Sequence, residues 1–477
     1  MASKYPNSRR RVSSASPSER SIRAATVREL AFWSRERSLP VAAREGAISI
    51  QLAVIMVPVL FGMMGFALDL GRLYLVRGEL NHAAEAAAIA AASHLIGTTG
   101  ALDAATTAAQ QTLTLNKYNF GSLTPGEGSG NLTSTITDPA YFSTVAGATG
   151  NDPNGSQADG TTARHVQVSL TADAPLLFWS LLSAGQSRKT PIAAQALAGI
   201  SVPLCTACGI EPFAIAAKDA SDLTDFGFGA PADDVHYTFY YNCTGTAPAF
   251  LPNSGQSAAY TIINRYDAGN TTVTDESDQL FRYGAGGLLS STTPNPTGST
   301  VPLGCVGIGD SVEAVWNGPL FTAVPQGCAA AVLPQVAGAA LCGLFTRVDN
   351  TTLPAACTTA VTDYSPLAAA APIDTDPGTT QDLYTNYNGN GRRVITVVVV
   401  DALAANATTP MNVLGFRQFL VQPNPDGTPF NPSDANGRFV ATYIGSPMPL
   451  RQGNIDDRFG FGVCPATSGP GKVVLHQ

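Results

Sequence analysis

The chain has 477 residues, of which 13% are charged, with a formal net charge of −8, 46 Gly and 33 Pro. Charged residues are about 25% of an average soluble protein, and the length allows two to four domains. Five Lys and an acidic balance exclude nucleic-acid binding by the bulk of the chain, because phosphate contacts need concentrated Lys and Arg. The abundant Gly, Pro, Thr and Asn disfavour an all-helical protein.

The charge is unevenly spread. Residues 1–45 hold ten Lys or Arg against four Glu, a net of +6, which leaves −14 for residues 46–477. Residues 47–68 then run AISIQLAVIMVPVLFGMMGFAL, 22 residues without a charge. As a helix this stretch covers ~33 Å, enough for a hydrocarbon core of about 30 Å. It exceeds the usual signal-peptide core of about 7 to 15 residues, and no A-x-A site follows, so a retained anchor is expected. Ala47, Gln51, Pro58 and Leu68 mark its course, and Pro58 removes one backbone donor. Nine Arg precede the span, whereas only Arg72 and Arg77 closely follow it. The positive-inside rule therefore puts the N-terminus in the cytoplasm and everything beyond Asp69 outside.

Beyond the span the helical pattern continues. Asp69 and Arg72 share a face, and Leu73, Val76, Leu80, Ala83, Ala87 and Ala90 recur at spacings of three and four. This shallow stripe suits close packing, either on a partner helix or on the chain's own domain. Taken as an assembly face, it comprises Asp69, Arg72, Tyr74, Leu80, Asn81, Ala83, Ala84 and Ala87.

Three pieces stand in order here: Gly46-Ala47 at the start of the apolar run, Asp69-Leu70-Gly71-Arg72-Leu73-Tyr74 at its exit, and Leu80-Asn81-His82-Ala83-Ala84-Glu85-Ala86-Ala87-Ala88 beyond. Together they resemble the N-terminal module of TadE/TadG-like Flp pilus assembly proteins of the bacterial tight-adherence apparatus. Pilins of this kind are cut after a Gly and carry Glu at the fifth mature position. Counting from Ala47, the fifth residue is Gln51, so the resemblance implies an uncleaved anchor of the larger TadG-like type.

Further along, residues 101–115 read as a helix through Leu102, Ala105, Ala109 and Leu113. Residues 119–160 are loop-rich. Residues 166–170 alternate like a strand, Pro175 to Leu182 suits a short helix, and residues 192–200 form a returning strand. In residues 201–477 the strand candidates are 235–241, 259–264, 394–400, 413–421 and 438–444, between turn-forming clusters. Val397 to Val400 reads as a central strand buried on both faces. The fold class is α+β: a transmembrane helix continuing into an Ala-rich helix, a small α+β unit, then a β-rich domain. The domains are a basic tail 1–45, an anchor 46–68, a TadG-like unit 69–200, and a Cys-containing domain 201–477.

All eight cysteines, Cys205, Cys208, Cys243, Cys305, Cys328, Cys342, Cys357 and Cys464, fall in the part expected in the oxidising periplasm, which favours disulfides. The Cys205-x-x-Cys208 pair lacks the His of a haem site, the βαβ context of a redox motif and the second CxxC of a zinc site. Gly309-Asp310-Ser311-Val312 and Asp233-x-x-His236 hold hydrolase-like residues in the wrong order, so a turn is expected. Asp401 lacks the two hydroxyl ligands of a von Willebrand A metal loop, and Asp152, Asn154 and Ser156 lack the Gly and Glu of a calcium loop. The five histidines show no ligand spacing.

The sequence thus predicts no catalytic residue, no metal and no cofactor. It points to a non-enzymatic, single-pass inner-membrane component of Flp pilus assembly. Its partners are the membrane and other envelope proteins, with self-association allowed. The alternatives are a membrane-tethered surface binding or adhesion module and a tethered hydrolase.

Overall fold

The computed structural model describes, apart from short breaks, residues 41–115, 135–178, 189–263, 305–314, 333–357, 375–404, 409–450 and 469–476. The basic tail up to residue 40, the Asp152 loop, Asp233, Cys243, Cys328 and Cys464 lie outside the described residues. The chain separates into residues 1–64 and residues 65–477.

In the first unit the described residues form the start of α1 (Val41–Ala92), a 52-residue helix that contains Pro58. Ile50, Leu52, Val54, Ile55, Leu60 and Phe61 are all exposed. A helix that shows apolar side chains all round has the surface of a membrane span rather than of a core helix.

In the second unit, α1 ends at Ala92, and a turn containing His94 leads into α2 (Ala101–Leu115). His82 therefore lies within α1 and His94 beyond its end. Antiparallel strands β1 (Thr135–Phe142), β2 (His165–Pro175) and β3 (Lys189–Ile200) follow, with the short helix α3 (Val145–Thr149) after β1. Alternation places Val166, Val168, Leu170, Ala172 and Ala174 of β2 inward. There they share a core with Leu80, Ala83, Ala84, Ala87, Ala88 and Ala91 of α1 and Ala105 and Ala109 of α2. Leu176 and Phe178, within the expected short helix, are non-helical, and the rest of that stretch falls outside the described residues.

The remaining strands are β4 (Thr206–Cys208), β5 (Phe213–Ala216), β6 (His236–Tyr241), β7 (Gln256–Ile262), β8 (Cys305–Gly307), β9 (Ser311–Val312), β10 (Val394–Val400), β11 (Met411–Gln422), β12 (Phe439–Ile444) and β13 (Val473–His476). The order β10-β5-β7-β6-β12-β11 closes on itself through a β10–β11 pairing, giving a six-stranded barrel. Its interior is filled by aromatic rings: Phe239 stacks on Phe439 at 4.9 Å and meets Phe419 edge-on at 5.0 Å, and Tyr260 lies 5.1 Å from Phe213. From Ile395 to Val400, β10 is buried on both faces, as its unbroken apolar run predicts. The last strand, β13, leaves the barrel and pairs with β3, so the first sheet runs β1-β2-β3-β13.

Helix α4 (Leu333–Val348) has no counterpart in the sequence reading. Leu341, Cys342, Leu344, Phe345, Thr346, Arg347 and Val348 are all buried, so the second half of the helix shows no exposed polar stripe. A disulfide joins Cys342 to Cys357, Cys205 is also disulfide-bonded, and no described cysteine is free.

Two buried ion pairs lie inside this unit, Arg347 with Glu211 and Arg393 with Asp376. Arg347 of α4 donates to Glu211 just before β5, and to the carbonyls of Arg392 and Val394 at 3.2 and 3.4 Å. Burial pushes the Glu211 carboxyl up to about 7, against the pull of Arg347 and Arg392. Removing one partner of such a pair leaves an uncompensated buried charge, so Glu211→Ala is expected to cost about 3–5 kcal/mol. Thermal denaturation of the full chain in detergent checks this.

His165 at the start of β2 and His476 in β13 meet edge-on at 5.2 Å, a pairing that sequence spacing does not reveal. Burial first, then the charges of His476 and Arg164, push His165 down to about 4. Between pH 4 and 6.5 the unfolded chain binds the proton more readily, so stability falls as pH drops through that window. His165→Gln is expected to flatten this part of the melting-temperature profile against pH.

Candidate functional site

The site where this chain's chemistry is most unusual is the stretch of α1 where the uncharged run ends. Gly65, Asp69, Arg72, Val76 and Leu80 are spaced by three and four and form one buried face, while Phe66, Leu68, Leu70, Tyr74 and Leu75 remain exposed. The Asp69 carboxylate accepts the backbone N–H of Phe178 at 3.0 and 3.3 Å. The Phe178 ring lies directly on Gly65, where any Cβ would collide with it. A glycine and an acidic residue one turn apart thus receive a single loop residue, one its ring and the other its amide. The partners are 109 positions apart in the chain, which hides the contact from any local reading.

Arg72 is buried on the same face, but Nε, Nη1 and Nη2 have no hydrogen-bond partner. A guanidinium carries five donors, and leaving them unmet in a protein interior is costly.

The other residues singled out from the sequence divide cleanly by exposure. Leu80, Ala83, Ala84 and Ala87 are fully buried in the chain's own core, so the shallow stripe is occupied by intramolecular packing. Tyr74, 70% exposed, and Asn81 face outward. Of the anchor residues, Gln51 and Leu68 are exposed, and Ala47 and Pro58 lie within α1.

Residues 46–94 match the family model for Tad, described as putative Flp pilus-assembly TadE/G-like. This stretch is a TadE/G-like module. It covers the whole apolar run, the Gly65–Asp69–Arg72 face and the alanine stripe, and ends in the turn after α1. No curated protein and no solved structure matches the chain.

Outside the TadE/G-like module, Gly309-Asp310 and Asp401 serve in turns, whereas Asp233 and the Asp152 loop lie outside the described residues. Gly309 adopts φ +84°, and Asp310 accepts the Gly307 N–H at 3.0 Å to close the β8–β9 turn. Asp401 accepts the N–H groups of Ala402 and Asn412 at 2.8 and 3.0 Å, capping the β10–β11 connection. Among the described residues no three His, Cys, Asp or Glu side chains gather to hold a metal ion.

The buried alanines of the TadE/G-like module set how closely α1 can approach the sheet. Ala87→Leu is expected to overpack this contact and cost about 1–3 kcal/mol, whereas Asn81→Leu on the exposed side should stay within about 0.5 kcal/mol. Melting temperatures of the two variants in detergent separate the faces.

Proposed function

We propose that the chain is a non-enzymatic, membrane-anchored component of Flp-type pilus assembly. It acts by position, holding a rigid extracytoplasmic body beside partner subunits in the envelope. The observation that carries this reading is the coincidence of the TadE/G-like match at residues 46–94 with a long apolar helix whose outer side remains uncovered just beyond the span. Orientation follows from the nine Arg before the span, which favour a cytoplasmic N-terminus and a periplasmic bulk in the inner membrane.

The partner-facing surface in this proposal is the exposed stripe Leu70, Tyr74, Arg77 and Asn81, spaced by four, three and four along α1. Tyr74 is its natural anchor, since a large amphipathic ring gains much contact area for little lost conformational freedom. Arg77 adds a charge that can steer and orient a partner. The buried members of the stripe, Leu80, Ala83, Ala84 and Ala87, support this face from behind by fixing the helix on its sheet.

In cells, a photo-crosslinking residue at Tyr74 is expected to give adducts with other envelope or pilus proteins, or with a second copy of the chain. The same probe at Ala87 is expected to give only intrachain products. Intrachain products alone from Tyr74, Arg77 and Asn81 would overturn the assembly reading in favour of a membrane-tethered binding module.

A further inference from the structure

We propose that the start of the β2–β3 connection, at Leu176 and Phe178, is a second membrane contact. It seats apolar side chains in the interfacial layer of the leaflet from which α1 emerges. The depth argument uses α1 as a ruler. The uncharged run ends at Leu68, so Gly65 lies about 4.5 Å inside its end at ~1.5 Å per residue. The Phe178 ring rests on Gly65, and its amide is held by Asp69, the first charged residue past the run. If α1 spans a bilayer, Phe178 therefore sits level with the last turn of the span.

Three further observations favour lipid as the occupant. Phe66 and Leu68 flank Gly65 at the same depth and are 60% and 56% exposed, so the surface around the contact is already apolar and uncovered. Residues 176–182 read Leu-Leu-Phe-Trp-Ser-Leu-Leu, without a charge, where hairpin connections are normally rich in Gly, Asn, Asp and Pro. The next charges in the sequence are Arg188 and Lys189. Leu176 and Phe178 are themselves only partly buried by the chain, which leaves apolar surface at this depth for lipid.

The proposal depends on α1 being inserted and is independent of the pilus reading. The test uses the full chain in phosphatidylethanolamine–phosphatidylglycerol vesicles, with Phe178→Trp introduced alongside Trp33→Phe, Trp179→Phe and Trp316→Phe. Emission from position 178 is expected to be quenched by lipids brominated near the headgroup. Its quenching by aqueous acrylamide is expected to be several-fold weaker than for Tyr74→Trp in a chain lacking the native tryptophans. Because indole is larger than phenyl, Leu176→Cys carrying a spin label provides a second readout, with collisional access to oxygen expected to exceed access to an aqueous nickel chelate. Loss of the chain from carbonate-washed vesicles would overturn anchor and contact together. Retention with both probes fully water-accessible would overturn the contact alone.

Discussion

Between Leu68 and Asp69 the surroundings that α1 must satisfy change, and the helix does not break to accommodate the change. From Ser49 to Leu68 no uncovered side chain is charged, because there is no water in a bilayer core to solvate a charge. From Asp69 onward the same helix carries two kinds of surface, one buried against its own domain and one exposed. Past Asp69, Arg72, Val76 and Leu80, the inner surface is made of Ala83, Ala84, Ala87, Ala88, Ala91 and Ala92, and this constraint governs what packs on it. A helix whose face ends at Cβ brings its backbone close to its neighbour, and close approach recovers by dispersion what the small side chains lack in area. The facing strands answer in kind, with Ala172, Ala174, Ala194, Ala196 and Ala198 among the inward residues of β2 and β3.

The barrel follows the opposite packing rule. Six strands enclose a space that only large side chains fill, and Phe213, Tyr237, Phe239, Tyr260, Phe419, Phe439 and Tyr443 fill it in edge-on and stacked contacts. The two cores meet through a small third cluster, in which Ile96 and Ala101 from the α1–α2 turn pack on Tyr384, Tyr387, Leu420, Ile444 and Met448. The Thr99 N–H donates to the Thr385 carbonyl at 2.9 Å across this junction. The return of β13 to the first sheet makes a second covalent and hydrogen-bonded crossing. Two crossings restrict hinge motion far more than one linker would, so a displacement of the membrane-exit helix is carried into the barrel.

Much of this fold is legible in the sequence, for identifiable reasons. The span and β10 announce themselves as continuous apolar runs and α2 by its spacing of three and four, and tertiary packing does not contradict them. Helix α4 is invisible because burial all round its second half erases the stripe there, and its buried Arg347 looks like a surface residue until Glu211 is brought to it. The chain-end strand β13 is four residues long, too short for any periodicity to register. In the candidate site, the pattern locates the exit helix and groups Asp69 with Arg72 on one face. It does not reveal which side of the alanine stripe faces inward, because Ala serves equally at a helix–helix and a helix–sheet contact. The Phe178–Asp69 and His165–His476 contacts link residues far apart in sequence, and no spacing rule reaches that distance.

The low charge density can now be located. Asp69, Arg72, Glu211, Arg347, Asp376, Arg393 and Arg417 are buried, so several of the chain's few charges are spent inside. There some of them tie a loop to a strand: Arg417 of β11 reaches the carbonyls of Leu223 and Thr224 while its guanidinium covers Phe226 at 4.1 Å. With 13% of its residues charged, the chain exerts little field at a distance. Electrostatic steering accelerates encounters between molecules that search three dimensions. A subunit confined to a membrane plane meets its neighbours by lateral diffusion, with its orientation already fixed by the anchor. For such a chain, contact geometry along α1 matters more than net charge, and a sparsely charged surface costs little in association rate.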